Sequence, residues 1–191
     1  KNKKNKKNED GVTYLQVMSP VDCLFLDPAR RNEHGGKTVA ISDCEPNVAK
    51  LEGLLLSKAN RIMIKLSPML DLSQALKELP HTQEVHIISV NNECKELLLL
   101  LGQTAPEEIQ CYHWGDMDYG GIRIFEYIQK HIFPGIKPLQ MDVETYEKYE
   151  EYAKTISKET MEKLEKVTYQ LYESHLRNDI IKQEELDEEI K

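Results

Sequence analysis

RIMIKLSPMLDLSQALKELPHTQEVHIISV, residues 61–90, decides how this chain is read. Residues 61–66 and 85–90 are brief runs rich in Ile, Leu and Val, each bounded by turn-forming residues, which is the pattern of a short buried strand. Between them Ser67-Pro68 breaks the first run and Asp71 can cap a helix. Leu72, Ala75, Leu76 and Leu79 then recur at helical spacing, and Pro80 closes the helix. Strand, helix and strand in that order predict a βαβ unit, and so an α/β chain with a mostly parallel sheet flanked by helices.

The same signals extend outward. VDCLFL (21–26) and IQCYHW (109–114) read as two further strands. The continuous apolarity of all four runs places them in one sheet buried on both faces, with 109–114 beside 85–90. VTYLQVM (12–18) also reads as a strand, and TVAIS (38–42) as a short strand or extended piece. Pro46 suits the first turn of a helix carrying Val48, Leu51, Leu54 and Leu55, with Glu45 near its positive end. After residue 90 a helix is expected from Glu93 to about Leu101. GQTAPEE (102–108) is the expected seam. Beyond it, Gly120-Gly121 opens a helix with Ile122, Phe125, Ile128 and Ile132 on one face, which Phe133-Pro134-Gly135 ends. Asp142 can cap the next helix, and Met161, Leu164, Val167 and Leu171 mark the stripe of a longer C-terminal helical pair.

With 191 residues, 40% of them hydrophobic, the chain can build one ordinary domain or two small ones. No apolar run approaches the roughly 18 to 20 residues that span a bilayer, and no signal-peptide core is present, so a cytoplasmic location without membrane contact is expected. Cys23, Cys44, Cys94 and Cys111 lack the CxxC spacing of a zinc or redox site and read as buried free thiols. The net charge of −8 argues against general electrostatic affinity for nucleic acid. That charge is unevenly spread: residues 1–10 hold five lysines against two acids, whereas residues 142–191 hold fifteen acids against eight bases. KNKKNKKN (1–8) has no apolar residue and is expected to be disordered, either an inert tail or a contact for a nucleic-acid backbone. The missing initiator Met suggests a fragment or a processed form.

Two acidic strings carry the chemistry. Asp27-Pro28-Ala29-Arg30 follows the strand 21–26, and Gly115-Asp116-Met117-Asp118 follows 109–114. Ligands gather where an open α/β sheet leaves the carboxyl ends of its strands, which makes each string a site candidate. Asp116 and Asp118, at i and i+2, can point the same way in extended chain. Such a pair suits Mg²⁺, which takes one or two carboxylates and completes its shell with water and phosphate. The ion would polarise a phosphoryl oxygen and stabilise a leaving group. Gly115, Gly120 and Gly121 permit a sharp turn with room for a phosphate. The plainer alternative is an Asp- and Gly-rich turn that caps a helix. His113 either packs in the strand beside Trp114 or lies near the acids.

YHWGDMDYGGIRIFEYI (112–128) and FPGIKPLQMDVETYEKY (133–149) resemble the C-terminal TOPRIM-type domain of Wadjet JetD proteins, and the resemblance runs over residues 109–190. It implies a magnesium-dependent nuclease related to the topoisomerase VI A subunit, acting on DNA in plasmid or phage defence. Asp116 and Asp118 would be metal ligands and catalytic. TOPRIM sites also use a Glu at the end of an earlier strand, for which Glu93 is the placed candidate. Glu184 is similar to part of a Gln-Glu element near the end of the family, or else lies on a solvated helix face.

Residues 21–101 resemble a second family, the later half of class I S-adenosylmethionine-dependent methyltransferases associated with THUMP-like domains. The strings that carry this are DCLFLDPARRN (22–32), GGKTVAISDCEPNV (35–48), IKLSPMLDL (64–72) and VHIISVNNECKELLLLL (85–101). By that resemblance Asp27, Pro28, Ala29 and Arg30 form the motif that contacts the target base and the reactive methyl, with RNA as the substrate. The glycine-rich turn and the acid that hold the cofactor are missing upstream, and Gly35-Gly36 reads as a flexible turn. No S-adenosylmethionine binding is expected from this half alone. Arg30 and Arg31 can meet phosphate or pair with acids such as Glu33 or Glu45. The chain therefore reads as a composite: a basic tail (1–10), a partial Rossmann-like, methyltransferase-like half (11–105), and a TOPRIM-like half with C-terminal helices (106–191). The leading functional expectation is a Mg²⁺-dependent nuclease-like module on DNA. The alternatives are a methyltransferase fragment and a non-catalytic α/β chimera.

Overall fold

The computed structural model describes residues 9–30, 40–91 and 93–164. The expected tail at 1–8, Gly35-Gly36, Arg31, Glu33, Val167, Leu171 and Glu184 lie outside them. The first element is a helix, α1 (Gly11–Val17), where a strand was expected. Asp10 decides this: its carboxylate accepts from the Thr13 backbone N–H and the Thr13 hydroxyl, both at 2.8 Å. Satisfying the first helical donors outweighs the β-preference of Val12, Thr13 and Tyr14 in a segment that buries only Leu15.

There follow β1 (Val21–Leu26), β2 (Ala29–Arg30), a 3-10 turn at Ile41–Asp43 in place of the expected extended piece, and β3 (Cys44–Glu45). Next come α2 (Val48–Lys58), capped by Asn47, β4 (Ala59–Leu66), and α3 (Leu72–Glu78), capped by Asp71 as its sequence predicts. The remaining elements are β5 (Thr82–Val90), β6 (Glu93–Leu101), β7 (Gln110–Trp114), α4 (Tyr119–His131), β8 (Lys137–Pro138), α5 (Val143–Lys148) and α6 (Lys158–Leu164). Among the described residues no helix is long and apolar enough to cross a membrane.

The fold is α/β, with a mostly parallel sheet in the order β1-β4-β6-β5-β7-β8 and helices flanking it. β1 and β4 pair in parallel, as do β7 and β8, while β6 runs antiparallel to β4. β6 corrects the expectation of a helix from Glu93 to Leu101, and it enters the sheet between the two strands of the expected βαβ unit. Asn91, at φ 53°, turns the chain back, a conformation that Asn tolerates. The returning strand sets Leu101, Leu99 and Leu97 opposite Ile62, Ile64 and Leu66, and all six are buried. Helix propensities among ordinary residues differ by less than about 0.7 kcal/mol each. Fully burying one Leu is worth about 1.5–3 kcal/mol, so the cross-strand pairs win.

The chain divides into two compact units, residues 1–85 with 96–109 and residues 86–95 with 110–191. In the first, Val48 and Leu55 of α2, Ala75 of α3 and the β4 and β6 residues named above are buried, together with Ile41, Leu70 and Leu79. In the second, Ile122, Phe125 and Ile128 turn one face of α4 inward, and Cys111, His113, Ile136, Met141 and Met161 are also buried. None of the four cysteines is in a disulfide; Cys44 and Cys111 are buried and Cys23 is exposed. Burial pushes the Cys111 thiol up to about 11, which removes it as a nucleophile at neutral pH.

Candidate functional site

β7 delivers the second acidic string. Its burial alternates, with Cys111 and His113 inside and Trp114 45% exposed, and the chain leaves the strand at Gly115. The Gly115 backbone N–H points to Met141 Sδ at 3.3 Å, which ties the turn to the segment after β8. Leu139 donates its N–H to the His113 carbonyl at 2.8 Å from the same segment. A Cβ on Gly115 would stand 2.6 Å from the His113 ring, so this position is closed to any larger residue unless the ring moves.

Asp118 is the N-cap of α4. Its Oδ1 accepts from the Gly121 N–H at 2.8 Å, and its carbonyl accepts from Ile122 at 3.0 Å. The helix-capping alternative is thus realised for Asp118, and the helix start also favours negative charge there. Asp118 is exposed and Asp116 half-buried, and both belong to one turn between β7 and α4. Replacing Asp118 with Ala is expected to cost about 1 kcal/mol of stability through the lost cap. Asn, which keeps an acceptor oxygen, should cost only a few tenths; denaturant unfolding of the two variants checks the difference.

Glu93 does not join the pair. It opens β6, is well exposed, and pairs with Lys95, which holds its carboxyl below the usual range. Among the described residues no group of three or more His, Cys, Asp or Glu is placed to hold a metal. On this turn a divalent cation would meet two carboxylates, and Asp118 Oδ1 is already engaged by the Gly121 N–H.

Behind the turn lies His113, which is fully buried. Its Nε2 is 3.1 Å from Ser89 Oγ on β5, and its ring lies 5.9 Å from that of Phe125. Burial pushes the imidazole down to about 4, so it is neutral at pH 7. Nδ1 is buried with no hydrogen-bond partner among the described residues. The packed-strand reading of His113 is the one observed, beneath Gly115 and not among the acids.

The first acidic string is bound up in structure. Asp27 Oδ2 meets Lys65 Nζ at 2.9 Å, and Lys65 also meets Glu96 at 3.6 Å. The Asp27 hydrogen bond heads the causes that raise the Lys65 ammonium above its ordinary value. Pro28 is buried, and Ala29-Arg30 forms a two-residue ladder with Cys44-Glu45. Sequence reasoning missed Lys65, Ser89 and Met141. Lys65 could have been noticed as a charge within the apolar run of β4, whereas Ser89 and Met141 matter only through contacts made by distant parts of the chain.

The described residues make up an α/β protein with an acidic strand–turn–helix site at the end of β7. The chain belongs to the family of the Wadjet protein JetD, C-terminal, whose model matches residues 72–190. That match reaches back to α3, earlier than the 109–190 on which the sequence resemblance rests. A Wadjet protein JetD of Bacillus cereus is 54% identical over 41 residues, which are 22% of this chain and 10% of that protein. The chain's match thus spans about a tenth of the length of this curated relative. A solved structure described as a methyltransferase of Porphyromonas gingivalis is 38% identical, covers 47% of this chain and 22% of its own, and superposes with a TM-score of 0.42.

Proposed function

We propose that the chain serves a JetD-like role in defence against foreign DNA, and that Asp116 and Asp118 form the acidic centre of a Mg²⁺-dependent, DNA-cleaving site. The observation that carries this reading is the position of both acids on the single β7–α4 turn, inside the stretch that matches the JetD C-terminal family. Gly121 lets the start of α4 approach the Asp116 carbonyl closely, and the positive end of that helix favours negative charge at the turn. A bound Mg²⁺ would supply charge stabilisation at the phosphoryl oxygen and the leaving group. The protein's share is to hold the two carboxylates on a capped helix start. The relative is named a Wadjet protein, and partner proteins belong to this proposal too.

A second reading is favoured by one observation: Asp118 already caps α4, and no third acid joins it among the described residues. On that reading the turn is structural. Titration with Mg²⁺ and Mn²⁺, followed by nicking of supercoiled DNA, separates the two. The proposal expects metal binding and nicking in the wild type, with nicking lowered by at least about a hundredfold in Asp116→Asn and in Asp118→Asn. Wild type without metal binding or nicking leaves the structural turn. The methyltransferase alternative would show itself by S-adenosylmethionine binding in the same titration.

A further inference from the structure

We propose that the outer face of β7, with Tyr112 and Trp114 flanked by Lys137, is a stacking platform for unpaired DNA bases that holds the strand beside Asp116 and Asp118. The choice of DNA rests on the reading of the acid pair given above. The platform itself rests on the side chains of this unit.

Strand alternation turns Cys111 and His113 inward and leaves Tyr112 half-buried and Trp114 45% exposed on the other side. An aromatic side chain of this size normally buries most of its surface, so a Trp left open at a strand end forgoes stabilisation that folding could have used. The neighbours of Trp114 extend the pattern. His86 of β5 stacks on Tyr112, with ring centroids 4.9 Å apart and planes at 25°. Lys137 of β8 is in register with Tyr112 and holds its Nζ 6.0 Å from the Tyr112 ring centroid.

The charge of Lys137 is what selects the partner. Its Nζ donates to the Gln110 side-chain oxygen at 2.5 Å, and among the described residues no carboxylate neutralises it. An uncompensated cation beside stacked aromatic rings suits a polyanion whose bases offer flat π-faces, a local attraction set against the chain's net charge of −8. Trp114 is joined directly to Gly115, so a base seated on its ring lies next to the acid turn. A base must leave its duplex stack to sit there. The substrate class is therefore single-stranded or locally opened DNA.

Trp114 is the only tryptophan of the chain, so its fluorescence reports this face alone. The full chain, in EDTA so that no metal contributes, is titrated with a short oligodeoxythymidine and with a duplex of equal length. Saturable quenching by the single strand, with a much weaker response to duplex, is expected. By anisotropy of a labelled oligonucleotide, Trp114→Ala should bind about tenfold more weakly and Trp114→Phe should stay within about threefold of wild type. Lys137→Gln should flatten the salt dependence of binding. A Trp114 signal indifferent to oligonucleotide, or Trp114→Ala binding as wild type, would overturn the platform. A signal that changes with protein concentration alone would overturn it too, by showing a second copy on the strip. Binding without nicking would uphold the platform and remove the catalytic reading of the acids; nicking with a silent Trp114 would do the reverse.

Discussion

Gly121→Ala is expected to destabilise the second unit by about 3 kcal/mol, the upper end of what one added methyl costs in a packed site. The reason is a single approach. A Cβ at position 121 would stand 1.9 Å from the Asp116 carbonyl oxygen and 2.8 Å from its carbon. Those are backbone atoms, so no rotamer change relieves the clash, and either α4 shifts or the acid turn opens. Each response also breaks the 2.8 Å hydrogen bond from the Gly121 N–H to Asp118. Gly53 provides the opposite control: it lies in α2 with nothing within 4 Å of its would-be Cβ. Gly53→Ala should raise stability by about 0.5–1 kcal/mol through helix propensity alone. Trp114 lies in the same unit as Gly121, so its fluorescence in urea follows the affected part of the chain. A Gly121→Ala protein with wild-type stability would show that the turn does not need this contact, and the geometry of the acid pair would have to be reconsidered.

Lowering the pH is expected to weaken the same unit through His113. The imidazole takes a proton near its ordinary value of 6.5 when the chain is unfolded, but only at about 4 when folded, because burial opposes the charge. Between these values the unfolded state binds more protons, so stability rises with pH across the window and is fully present above about 6.5. Integrated, the effect is on the order of 3 kcal/mol, lost as pH falls from about 6.5 towards 4. Carboxylates contribute in the lower part of that window. The discriminating measurement is therefore the difference between wild type and His113→Gln, which keeps a polar group for Ser89 without a titrating ring. The wild-type curve should fall more steeply with decreasing pH than the variant's. Parallel curves would mean that His113 is protonated in the folded protein with little cost.

The elements legible in the sequence are those whose signals are local. Residues 61–66 and 85–90 show themselves by composition and by the turn residues around them, and Asp71 and Asp142 announce their helices because a cap needs only the N–H groups three residues on. Two of the misread segments fail for opposite reasons. At α1 a local signal, the Asp10 to Thr13 cap, was present but weaker to the eye than three β-favouring residues. At β6 no local signal existed, since the leucines at 97–101 form an unbroken run and carry no period at all. The acid pair was visible because Asp, Gly and strand end are neighbours in sequence. What lies beneath it was not, because Ser89 is 24 positions from His113 and Met141 is 26 from Gly115.

By itself, then, the sequence determined the α/β class, the main strands, the helices capped by Asp71 and Asp142, and the Asp116–Asp118 turn. Each of these rests on residues within a few positions of one another, where backbone hydrogen bonds and side-chain periodicity act. Only the tertiary structure decided that Glu93–Leu101 is a strand inserted beside β4, that Asp27 is held by Lys65, and that Glu93 pairs with Lys95 and not with the aspartates. Those outcomes follow from burial and charge pairing. For the strand and for Asp27 the partners are brought together only when the chain closes on itself, and Glu93 meets Lys95 because the strand turns residues i and i+2 to the same face.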